Sequence, residues 1–68
     1  MFDLLTRKEH EVLDLLCEGL DPHEVAERLS ISMETVRTHI KRIREKRGEP
    51  TILKVIIKEL MARYGVAA

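Results

Sequence analysis

Two helix starts stand eleven residues apart, at Asp21 and Ser32, and this spacing constrains the fold more than any other feature of the chain. An interval that short holds a helix of about two turns and a tight connection, with no room for a strand pair or a long loop. Both starts carry the same chemistry. Asp21 is placed to accept from the first free amides, Pro22 takes the one helical position that needs no N–H, and Leu20 can staple onto Val25. Ser32 repeats the cap, with Ile31 before it and Val36 four positions into the next helix. The segment from Glu24 to His39 therefore reads as a helix-turn-helix, in which the second helix projects one face outward.

The flanks read as helices too. Thr6 followed by Glu9 forms a capping box, Val12, Leu13, Leu15 and Leu16 supply an apolar face, and Gly19 offers a left-handed stop. The spacing predicts helices over about 7–18, 22–29, 33–47 and 52–63. In the second, Val25, Ala26 and Leu29 share a face; in the third, Val36, Ile40 and Ile43 point to the core, and Gly48 and Pro50 end it. In the fourth, Ile52, Leu53, Ile56 and Leu60 form the expected core stripe, with Val55 off it. Ile57, Met61 and Tyr64 widen that stripe into surplus apolar surface. The expected fold class is all-α, a four-helix compact domain with a central helix-turn-helix, forming one domain over residues 1–68. A chain this short buries only roughly 60% of its unfolded surface and cannot enclose a large active site.

The chain is formally neutral, which on its face argues against a polyanionic partner. The total hides a division: residues 1–34 carry nine acidic against three basic side chains, and residues 35–68 carry nine basic against three acidic. Six of those basic residues, Arg37, Lys41, Arg42, Arg44, Lys46 and Arg47, fall on the predicted third helix. A basic cluster on one helix counts for more in phosphate binding than the net charge does. At 100° per residue the outward arc of that helix holds Glu34, Thr38, Lys41, Arg42 and Glu45, flanked by Thr35 and Arg37. Only Lys41 has an acidic neighbour at i, i+4, Glu45, so the cluster is not a self-neutralised ladder. It also begins just after a helix N-terminus, which attracts phosphate through its free amides.

Other chemistries are poorly supported. Cys17 is the only cysteine, so no internal disulfide forms, and His10, His23 and His39 lack the i, i+4 spacing of a metal pair. No nucleophile, base and acceptor set suggests an enzyme, and no metal or cofactor is expected. No apolar run approaches the roughly 20 residues of a bilayer span, so the expectation is a soluble, cytoplasmic protein without membrane contact.

From Leu5 to Gly48 the chain resembles the LuxR-type (GerE-like) helix-turn-helix domain of bacterial transcription regulators. Leu5, Thr6, Glu9, Glu11, Val12 and Leu13 match its opening Leu-Thr-x-Arg-Glu-x-Glu-Val-Leu, with Lys8 in place of the Arg. Gly19, Leu20, Glu24, Val25, Ala26, Leu29, Ile31 and Ser32 follow its central pattern, Thr35-Val36-Arg37-x-His39 its Thr-Val-Lys-x-His, and Lys46 and Gly48 its closing turn. The resemblance implies a sequence-specific DNA-binding transcription regulator with the third helix in the major groove. It implies base contacts from Arg37, Thr38 and Lys41, and leaves Thr35, Arg42, Arg44 and Lys46 as phosphate-side candidates. His39 borders the buried arc and is expected to be a satisfied, half-buried histidine. In this family the last helix commonly forms the dimer contact, which points to Ile57, Met61 and Tyr64 and to a homodimer on a two-fold-related site in double-stranded DNA. RNA polymerase is a further candidate partner.

The chain also departs from the pattern. Arg47 and Glu49 replace the Leu and Val that usually seal the third helix, so either that helix ends a turn early or Arg47 runs its stem along the core. After Pro50 the likeness weakens. Few residues precede Thr6, whereas most members attach a receiver or sensor domain, so a stand-alone regulator and part of a longer one both remain open. Two rival readings share the fold: the promoter-reading fourth region of a sigma factor, and a protein-interaction module using the apolar last helix or the acidic first half.

Overall fold

The computed structural model describes residues 4–65; Asp3, one of the acidic residues counted above, lies outside them. Four helices make up the fold: α1 (Arg7–Cys17), α2 (Pro22–Leu29), α3 (Met33–Arg47) and α4 (Ile52–Tyr64). The architecture is all-α, with no strand among the described residues.

Each helix begins on a side-chain cap. The Glu9 N–H donates to Thr6 Oγ1 at 3.2 Å while the Thr6 N–H donates to Glu9 Oε1 at 2.9 Å. Asp21 and Glu24 form a second box, both bonds 2.9 Å. Ser32 Oγ accepts from the Thr35 N–H at 3.1 Å, and Thr51 Oγ1 accepts from the Lys54 N–H at 3.2 Å. Each cap satisfies a backbone donor that would otherwise lack a helical partner, at about 1 kcal/mol per cap. The turn between α2 and α3 is closed by Ser30 in the left-handed region, φ 55° and ψ 45°. A residue with a Cβ pays roughly 1–2 kcal/mol for that conformation. Amide hydrogen bonds from Ser30 to the Glu27 carbonyl and from Ile31 to the Ala26 carbonyl offset it.

Both α1 and α3 touch all the other helices, and they form the centre of the fold. Between them lie Val12, Leu13, Leu16, Val36 and Ile43, sealed by Val25 and Ala26 of α2 and by Val55 of α4, with Leu5 buried in the same cluster. Burying an aliphatic side chain of this size contributes roughly 1.5–3 kcal/mol. Ile40, Leu29, Ile31, Ile52 and Ile56 pack half-buried around this core. The free Cys17 is among these half-buried residues, and burial pushes its thiol above the ordinary range, as suits a small apolar side chain.

The fourth helix is rotated from the expected position. Val55, placed off the core stripe from sequence, is 2% exposed, whereas Leu53, placed on it, is 62% exposed. The inward face runs through Ile52, Val55, Ile56 and Glu59, at i, i+3, i+4 and i+7. A carboxylate occupies the last of these places because two arginines reach it. Arg47 Nη1 donates to Glu59 Oε1 at 2.7 Å and Arg63 Nε to Glu59 Oε2 at 2.8 Å. Arg63 also donates to Asp14, so one network joins α1, α3 and α4. Burial alone would raise the Glu59 carboxyl, but the hydrogen bonds from Arg63 and Arg47 outweigh it and hold the group below the ordinary range. The same network resolves the problem at Arg47. The helix does not end early: α3 runs through Arg47, whose half-buried guanidinium finds its partner on α4.

Candidate nucleic-acid interface

The six basic side chains of α3 divide into two groups. Arg44, Lys46 and Arg47, in the last turn, are engaged within the fold. Arg44 Nη1 donates to the Pro50 carbonyl at 3.0 Å, helping to shape the turn that Gly48 opens at φ 67°. Lys46 Nζ donates to Glu9 Oε1 at 2.7 Å across 37 residues of sequence. Glu9 is 1% exposed, the one buried charged residue among those described. Its burial would raise its pKa, but the Lys46 hydrogen bond, the Thr6 amide and the Lys46 charge together bring the group below the ordinary carboxylate range. A buried carboxylate needs such a partner, and Lys46 is the cation that reaches it.

Arg37, Lys41 and Arg42 form the other group. All three are exposed and, among the described residues, none has a carboxylate or carbonyl partner. The spacing between Lys41 and Glu45 allows an i, i+4 pair, but no bridge forms there. Thr35 and Thr38 lie on the same exposed surface, and both hydroxyls are hydrogen-bonded. Thr35 Oγ1 lies 2.9 Å from Ser32 Oγ, and Thr38 Oγ1 donates to the Glu34 carbonyl at 3.0 Å. Glu34, Thr35, Arg37, Thr38 and Arg42 border one open depression along the leading turns of α3.

The structure thus brings Arg37, Thr38, Lys41, Thr35 and Arg42 to a common exposed face, and it leaves two phosphate-side candidates out of that free set. Arg44 is held on Pro50, and Lys46 spends its ammonium on Glu9. The sequence carried a signal for the second case, a Glu at the third position of α1 and a Lys at the next-to-last position of α3, but nothing in helical periodicity says that the two meet. His39 is half-buried as expected. Its Nδ1, however, is buried without a hydrogen-bond partner among the described residues, so it is not the satisfied histidine that the sequence suggested.

On α4, Ile57 is 46% and Tyr64 72% exposed, with Met61 half-buried between them. Leu53, four residues before Ile57, extends the same outward apolar face. No helix among the described residues is long and apolar enough to cross a membrane.

A helix-turn-helix with exposed cations and hydroxyls on its second helix is a geometry suited to reading DNA. Residues 3–50 match the luxR family of bacterial regulatory proteins, also described as GerE. The chain belongs to that family. It is accordingly a helix-turn-helix DNA-binding unit of the kind found in bacterial transcription regulators. The oxygen regulatory protein NreC of Staphylococcus aureus strain JH9 is 30% identical over 66 residues, covering 93% of this chain and 30% of that protein. NreC of strain JH1 matches to the same extent. The chain therefore spans about 30% of the length of the curated relatives it matches. Membership of the luxR family decides between the regulator and sigma-factor readings that the sequence left open.

Proposed function

We propose that α3 enters the major groove of a promoter site with Arg37, Thr38 and Lys41 on base edges and with Arg42 and Thr35 on flanking phosphates. The observation that carries this reading is the division of α3's cations. The last-turn cations are engaged within the fold, while those on the leading and middle turns have no partner among the described residues. Arginine suits bidentate contact with guanine, and lysine reaches the same acceptors as a point charge. In this reading Arg44 and Lys46 are structural rather than phosphate-binding.

A salt titration on promoter fragments tests the reading. One or two phosphates per protomer, at about −0.9 each, give a log-log slope between about −2 and −4 for a bound pair. A flat titration overturns DNA binding by this face and favours the protein-interaction reading.

Two copies of the chain join through the outward face of α4 on a two-fold-related site. One helix-turn-helix reads few base pairs, and pairing sets a second recognition helix about one DNA turn away, roughly 34 Å. Ile57, Met61 and Tyr64, continued by Leu53, supply the apolar contact. RNA polymerase, recruited or obstructed at the bound promoter, is the further partner in this reading.

Ile57→Glu places a charge in the proposed contact without touching the buried Val55, so it yields a folded monomer with weakened binding to a palindrome. Sedimentation, with circular dichroism to confirm folding, measures this. A parent chain that stays monomeric both at high concentration and on a palindromic site removes the dimer.

A further inference from the structure

The Glu34 carboxylate has no hydrogen-bond or ion-pair partner among the described residues. The capping carboxylates of α1 and α2, Glu9 and Glu24, sit at the third helical position and fold back onto the cap amide. In α3 the third position is Thr35, and Glu34, one place earlier, makes no cap bond. It is exposed and, among the described residues, has no cationic partner, although Arg37 is three residues on. Its carboxylate therefore stands free on the leading turn of the helix, bordering the same depression as Arg37, Thr38 and Arg42.

One helical turn later, Thr38 has given its only hydroxyl proton to the Glu34 carbonyl. What it presents outward is its oxygen lone pairs and its methyl group. Glu34 and Thr38, at i and i+4, thus form a stripe that can only accept hydrogen bonds. Arg37 and Lys41, also at i and i+4, form an adjacent stripe that can only donate. The major groove offers complementary edges. Guanine presents acceptors at O6 and N7, and cytosine presents a donor, its N4 amino group, which a carboxylate is suited to receive.

We propose that Glu34 is a specificity-determining residue whose carboxylate accepts from a cytosine N4 amino group next to the guanines contacted by Arg37 and Lys41. The inference rests on the reading of α3 as the groove-entering helix and deepens it. The carboxylate also faces a polyanion, so it lowers affinity for every sequence that offers it no amino group to receive. Glu34 then contributes discrimination rather than affinity.

Selection from a randomised duplex DNA library, run in parallel on the parent chain and on Glu34→Gln and Glu34→Ala, tests the proposal. The parent selects cytosine at one position per half-site, and Glu34→Ala loses that preference by about ten-fold or more while binding non-cognate duplex more tightly. Glu34→Gln changes the preferred base at that position to adenine, because an amide both accepts from N6 and donates to N7. If both variants select the same motif as the parent, the inference is overturned and Glu34 acts only by repulsion. If the parent itself selects no motif, the reading of α3 fails along with it, and the two failures are told apart by the parent's result alone.

Discussion

Replacing Lys46 by methionine destabilises the protein by about 3 kcal/mol, the low end of the range for breaking a buried ion pair, because the lysine side chain is itself 30% exposed. The cost arises at Glu9, which stays buried with its charge but without its counter-ion. Urea unfolding measures it, and Glu9→Gln combined with Lys46→Met recovers most of the loss, since glutamine can still accept from the Thr6 amide and carries no charge. The pH dependence identifies the cause. Burial acts to raise Glu9, while its hydrogen bonds and the Lys46 charge lower it further, so its folded pKa lies below its unfolded value. The parent's stabilisation from this group is therefore present above the ordinary carboxylate range and is lost as pH falls through the lowered value. Without Lys46, burial dominates and acid neutralises an unpaired charge. The stability gap between parent and variant therefore narrows as pH falls from about 7 toward about 3. A Lys46→Met midpoint equal to the parent's would mean that the pair adds nothing, and would return Lys46 to the pool of cations available to phosphate.

The second large effect is on binding. Arg37→Ala and Lys41→Ala each weaken specific binding by about 1–3 kcal/mol and relax selectivity for guanine, and the double variant loses roughly the sum. Neither side chain has a partner among the described residues, so thermal unfolding of both variants coincides with the parent's. A gel-shift titration on a selected site, paired with a melting curve, separates recognition from folding. If the double variant binds that site as tightly as the parent, the base-reading surface lies elsewhere on the molecule.

The fold class was legible because its signals are local. Caps at Thr6, Asp21 and Ser32 depend on residues three positions apart, and the apolar periods of α1 and α3 depend on residues three and four apart. The turn at Ser30 was not legible, because its left-handed backbone falls on a residue that does not favour it. The rotation of α4 was missed for a different reason. Counting apolar residues favoured Leu53 and Leu60, whereas the face that packs inward includes Glu59, acceptable only because Arg47 and Arg63 converge on it from other parts of the chain. The same kind of long-range pairing assigned Lys46 to Glu9. Helical periodicity gives the direction a side chain points, but not whether a distant opposite charge waits there, and this is why a cluster of six cations on the sequence reduces to three without a partner among the described residues.

Because α3 is secured at both ends, by the Ser32 cap and turn on one side and by Lys46 and Arg47 on the other, the groove-entering helix of the proposed reading would reach DNA already shaped. Little backbone entropy remains to be lost on docking. The ordering cost falls on Arg37, Lys41 and Arg42, at about 0.5–1.5 kcal/mol for each long side chain immobilised. These three flexible cations sit on a rigid rod beside two hydroxyls that are each already hydrogen-bonded within the helix start. In the proposed reading, such a surface adapts to small differences between half-sites by re-aiming its arginines and lysine while the helix holds its register in the groove.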